Sequence, residues 1–149
     1  LSRLYPDAKS TLYTPAILGQ RRAREQGAIE ALYKDDEGHI LEATTSNLFA
    51  FFGNTLVTPP TADQILPGIT RMTTLEIAEE HFTVEERALS YDELLAADEV
   101  FITSANKEVC PIVQVDDTTI GDGTVGEGTQ QLMALFHTLT RKRAEGMSV

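Results

Sequence analysis

The dipeptide Gly53-Asn54 stands between two short apolar runs, Leu-Phe-Ala-Phe-Phe at 48–52 and Thr-Leu-Val-Thr at 55–58. A glycine-first, two-residue turn closes an antiparallel hairpin, because glycine takes a positive φ freely and the turn's twist matches that of the strands. Such a hairpin argues against a purely parallel, doubly wound sheet. Similar signals recur along the chain. Strands are predicted at 29–33 and 40–43 around the turn Asp35-Asp36-Glu37-Gly38, and a second hairpin from 109–115 and 118–120. A further strand at 99–103 ends in the polar turn Ser104-Ala105-Asn106. Helices are predicted from Pro15 to Gly27, with proline in the first turn and glycine as the stop. Another starts near Gly68 or Ile69, where Ile69, Met72, Leu75 and Ala78 repeat at helical spacing. The last runs from about 128 to 141, with Leu132, Leu135, Phe136 and Leu139 on one face. Ser90-Tyr91-Asp92-Glu93 has the form of a capping box. The expected fold is one α/β domain with a mixed, largely antiparallel sheet flanked by helices.

Charge and composition remove several classes of function. The 149 residues carry 12 basic and 23 acidic side chains, a net charge of −11, which opposes nucleic-acid binding. Apolar residues make up 42% without any run long enough to span a bilayer, so no membrane role is expected. One cysteine, Cys110, excludes an internal disulfide framework and fits a reducing compartment, so a cytoplasmic location is expected. The three histidines and that cysteine show no metal-ligand spacing, and no metal site is expected.

Four segments could carry chemistry. In Leu66-Pro67-Gly68-Ile69-Thr70-Arg71 a tight turn opens a helix, whose unpaired N–H groups and dipole suit an anion, with Thr70 adding a hydroxyl. An ordinary loop-to-helix junction reads the same way. The turn at Ser104 and Ala105, beyond a strand end, could approach the same anion or be a plain turn. Glu42, between a strand and the polar run Thr44-Thr45-Ser46, could pair with a protonated ring nitrogen or be a surface carboxylate. Lys9 could be a nucleophile if partly buried, or one surface lysine among others.

Taken in order, these segments resemble the fold-type IV pyridoxal-phosphate enzymes. That group includes D-amino-acid aminotransferase, branched-chain aminotransferase and aminodeoxychorismate lyase. The resemblance rests on Ala8-Lys9-Ser10, Glu42 with Ser46-Asn47-Leu48-Phe49, the hexapeptide from Leu66 to Arg71 and Ala97-Asp98-Glu99-Val100-Phe101. It implies a barrel-like sheet flanked by helices and pyridoxal 5'-phosphate as cofactor. Lys9 would carry that cofactor as a Schiff base and move the proton, while Glu42 would bind the ring nitrogen and Leu66 would lie against the ring. Gly68, Ile69 and Thr70 would cradle the phosphate at the helix start, with Ser104 and Ala105 on its other side. Tyr13 is the candidate contact to the ring oxygen, one position short of the branched-chain enzymes' spacing. Those enzymes also read Gly-Thr-Ala where this chain has Thr103-Ser104-Ala105.

The implied reaction moves an amino group between an amino acid and a 2-oxo acid, with a D-amino acid placed ahead of a branched-chain L-amino acid. The alternatives are a lyase on the same scaffold, or a piece that only folds or binds phosphate. Family members carry an N-terminal domain ahead of the lysine, so residues 1–149 are expected to be the cofactor-binding C-terminal domain of a larger, homodimeric protein.

Overall fold

The structure is a computed structural model that describes residues 14–62 and 65–146. Its first half contains α1 (Thr14–Glu25), β1 (Leu32–Lys34), β2 (His39–Ala43), β3 (Asn47–Phe52), β4 (Thr55–Thr58), α2 (Ile69–Ala78) and β5 (Thr83–Glu86). Then come β6 (Leu89–Ser90), α3 (Tyr91–Leu95), β7 (Glu99–Ser104), β8 (Glu108–Ile112), β9 (Gln114–Val115), β10 (Thr118–Thr119) and α4 (Glu127–Ala144).

The hairpin forms as its turn requires. Gly53 sits at φ 56°, and Phe52 of β3 stands opposite Thr55 of β4. Around it a five-stranded sheet is ordered β5-β4-β3-β7-β8, antiparallel except for the β4–β5 pair. That parallel pair needs a crossover, and α2 supplies it. A three-stranded sheet, β1-β2-β6, and the β9–β10 hairpin complete the strands among the described residues. The fold is therefore mixed α/β and largely antiparallel, and the strands of the described residues lie in three sheets rather than one closed barrel.

Both faces of the central strands are covered, which is why 48–52 reads as a continuous apolar run rather than an alternation. Leu48, Ala50, Val100 and Ile102 pack with Ile40, Leu89 and Leu94 on one side. Phe49, Phe51 and Phe101 meet Leu75 of α2 and Leu132 and Phe136 of α4 on the other. The Phe49 and Phe101 rings stack at 4.9 Å, 6° from parallel.

Several expectations shift. The strand expected at 29–33 forms only as β1, because Glu30 is drawn onto the 44–46 loop and Thr44 N–H donates to Ala31 O at 2.9 Å. The run 109–115 divides: β8 pairs with β7, Val113 leaves the ladder, and β9 pairs with β10. Pro111, which has no N–H to donate, is tolerated because β8 is the sheet's edge. The capping box at Ser90 forms in both directions: Glu93 N–H donates to Ser90 Oγ at 3.2 Å and Ser90 N–H to Glu93 Oε2 at 3.0 Å.

The cap of α4 comes from a distant strand. Gly126 is the N-cap and makes no side-chain cap bond. The Glu99 carboxylate at the start of β7 accepts instead from Gly128 N–H at 3.0 Å and Thr129 N–H at 2.7 Å. A Cβ on Gly126 would overlap Glu99 Cδ, so the carboxylate occupies the place of a capping side chain. Glu99→Ala is expected to cost about 1–2 kcal/mol, the usual worth of a cap, seen as a lower urea midpoint with an unchanged slope.

Among the described residues no helix is long and apolar enough to cross a membrane, and no group of three His, Cys, Asp or Glu side chains could hold a metal ion.

Candidate active site

One end of the five-stranded sheet gathers most of the candidate residues. β3 begins there, while β4 and β7 run antiparallel to it and end there. Asn47, the first residue of β3, stands opposite Thr103, with Ser104 following at the end of β7. The chain reaches β3 from β2 through a tight turn in which Ala43 N–H donates to Ser46 O at 2.8 Å. Glu42, near the end of β2, is therefore close to the same sheet end.

Glu42 is a buried carboxylate, only 3% exposed. Its Oε2 accepts from Asn47 Nδ2 at 3.3 Å and from Leu66 N–H at 3.2 Å. Asn47 Nδ2 also donates to Leu66 O at 2.8 Å. One amide group thus fastens the loop ahead of α2 to the β2 carboxylate. Gly68 explains why that loop can come so close: a Cβ there would overlap Asn47 Oδ1. Its φ of −66° is open to any residue, so the requirement is for space rather than for an unusual backbone angle. Asn47 belongs to the segment that carries the resemblance, yet its role is not legible there, because an asparagine before an apolar strand is also an ordinary strand start.

Gly68 is the N-cap of α2, at the end of the loop that Asn47 holds, and offers no side-chain cap bond. The first amides of a helix have no intrahelical partner, so those of Ile69 and Thr70 are available to an anion. Thr70 is 9% exposed and Ile69 is 78% exposed, so the two residues line the helix start from its inner and outer sides. Arg71 braces the structure instead. Its Nη2 donates to Pro59 O at 2.9 Å and to Glu86 Oε2 at 2.6 Å, which ties the first turn of α2 to the end of β4 and to β5.

The second turn lies across the sheet end. Ser104 Oγ accepts from Lys107 N–H at 3.2 Å, which shapes 104–107, and Ala105 is exposed. The Thr103 hydroxyl, 1% exposed, has no hydrogen-bond partner among the described residues. An orphaned buried hydroxyl beside Asn47 is the kind of group a polar ligand or water satisfies. Lys9 and Tyr13 lie outside the described residues.

A charge network that the sequence did not reveal borders this end. Glu30, whose side chain is 4% exposed, accepts from Thr44 Oγ1, from Thr45 N–H at 3.2 Å and Oγ1 at 2.5 Å, from Ser46 Oγ at 3.2 Å and from Lys107 Nζ at 2.7 Å. Burial pushes its carboxyl upward, but the hydrogen bonds from Lys107, Thr44 and Thr45 outweigh that and hold it below the usual range.

The chain is similar to known proteins along most of its length. The sequence matches the family described as amino-transferase class IV over residues 2–115. It is 41% identical to a D-alanine aminotransferase of Bacillus licheniformis over 127 residues, covering 85% of this chain and 44% of that protein. It is 36% identical to a branched-chain-amino-acid aminotransferase of Pseudomonas aeruginosa, covering 89% of this chain and 43% of that protein. The structure resembles the PLP form of the branched-chain amino acid aminotransferase from Thermobaculum terrenum with a TM-score of 0.87 at 32% identity, covering 91% of this chain and 45% of that one. The chain spans about half the length of the curated relatives it matches.

Proposed function

Because this chain belongs to the class IV aminotransferases, we propose that it forms the cofactor-binding domain of a pyridoxal-phosphate enzyme. That enzyme transfers an amino group between an amino acid and a 2-oxo acid. The observation that carries the reading is the buried Glu42 carboxylate sharing one sheet end with the open start of α2. This donor set suits a ligand with a cationic ring nitrogen at one side and a phosphate at the other. The Thr103 hydroxyl, without a hydrogen-bond partner among the described residues, supports a polar occupant of the same end.

When bound, the cofactor supplies an electron sink for charge developing at the amino acid's α-carbon. The residues of this chain divide the remaining work. Glu42 would stabilise a proton on the ring nitrogen by direct charge, and Leu66, whose backbone is held by Asn47 and Glu42, would pack on the ring. The amides of Ile69 and Thr70, with the Thr70 hydroxyl, would hold the phosphate at the helix start, with the Ser104–Ala105 turn as the second set of phosphate contacts. Lys9 would be the covalent anchor for the cofactor and the base that holds or moves a proton at its amine. Tyr13 is proposed as the contact to the ring oxygen. The substrate proposed is a D-amino acid, which the higher identity to the D-alanine enzyme supports.

Borohydride reduction of the cofactor-loaded protein should fix the cofactor on the peptide containing Lys9, read by mass spectrometry. Modification elsewhere sinks the assignment. D-alanine with a 2-oxo acid acceptor should show acceptor-dependent amine transfer. Pyruvate released from an aminodeoxychorismate-like substrate without an acceptor would support lyase chemistry instead.

A further inference from the structure

The Glu30–Lys107 network joins two segments that the proposed site uses from opposite sides. Thr44, Thr45 and Ser46 connect Glu42 to Asn47, and all three place hydroxyls on the Glu30 carboxylate. Lys107 closes the turn that begins at Ser104, and its Nζ donates both to Glu30 Oε1 at 2.7 Å and to Thr45 Oγ1 at 3.2 Å. Loops move unless their polar groups are tied down. Here one carboxylate, using most of its acceptor capacity, holds both. The charges matter as well as the geometry. A carboxylate whose side chain is 4% exposed needs a nearby cation, and Lys107 supplies one while remaining 30% exposed itself.

We propose that Glu30 and Lys107 are positioning residues that strap the Glu42–Asn47 wall to the Ser104–Ala105 turn, setting the spacing between the ring-nitrogen and phosphate sides of the cofactor pocket. The inference rests on the cofactor reading given above. Neither residue is assigned a contact with the cofactor. Their effect passes through the two loops.

Two readouts separate this inference from the reading on which it rests. The first is amide hydrogen exchange on the cofactor-free full-length protein. Lys107→Met keeps the side-chain stem and removes the charge. It should raise exchange at 44–46 as well as at 104–107, while β5 stays unchanged. Faster exchange confined to 104–107 would overturn the strap. The second is titration with pyridoxal phosphate followed by absorbance. Lys107→Met and Glu30→Gln should each weaken binding about tenfold, the worth of one charge-assisted hydrogen bond. Lys107→Arg should restore the affinity. The double variant should bind no more weakly than the worse single one, because the two side chains act as a unit. Coupled exchange with unchanged affinity overturns the positioning role. A wild-type protein that does not take up the cofactor overturns the reading of the site, and the exchange result still decides whether the strap exists.

Discussion

Lys9→Ala should lower amine transfer by roughly 10⁴-fold, the upper range of what a positioned acid–base group contributes. The change would remove both roles proposed for Lys9, covalent anchor and proton carrier, so two steps should fail together. Stability should be little affected, because the described core is built from Phe49, Phe51, Phe101 and the faces of α2 and α4. Pyridoxal phosphate should still bind, held by the phosphate contacts, but borohydride should no longer attach it. The check is a coupled assay with D-alanine and a 2-oxo acid, alongside thermal unfolding. Activity above about one hundredth of wild type would remove Lys9 from the mechanism.

Glu42→Gln should have the next largest effect, a loss of about 10²–10³ in turnover, comparable to removing one preorganised electrostatic group from an active site. The substitution separates charge from packing. Glutamine has nearly the same volume, and its amide oxygen can still accept from Asn47 Nδ2 and Leu66 N–H. The loop ahead of α2 should therefore stay fastened while the negative charge proposed to face the ring nitrogen disappears. The loss should fall on kcat, because the charge matters most where electrons flow towards the ring. Unchanged kcat with a weakened fold would make Glu42 a structural residue alone.

What was legible in the sequence was local. Gly53 shows its hairpin because the positive φ belongs to that one residue, and Ser90 with Glu93 shows its capping box because the reciprocal bonds span three positions. The start of α2 was legible for the same reason. β5 was not: Thr83-Val84-Glu85-Glu86 is mostly exposed and lacks an apolar signal, and it becomes a strand through parallel pairing with β4. β6 spans only two residues and owes its assignment to pairing with β2.

The site divides along the same line. Glu42, Leu66 and Gly68 do converge, but the residue that joins them, Asn47, shows its purpose only once the β2–β3 turn has folded back. Glu99 as the cap of α4 and Glu30 as the partner of Lys107 act across 29–30 and 77 positions respectively. No local pattern announces either contact. In each case a carboxylate finds backbone or side-chain donors that topology alone brings near.

The pairing of Asn47 with Thr103 has a consequence for how the protein is made. The wall near Glu42 leaves the ribosome well before the turn at Ser104, and α2 emerges between them. A nascent chain can form the Glu42–Asn47 turn and the start of α2 while the Ser104 turn is still being synthesised. The proposed pocket is therefore complete only after β7 has closed against β3.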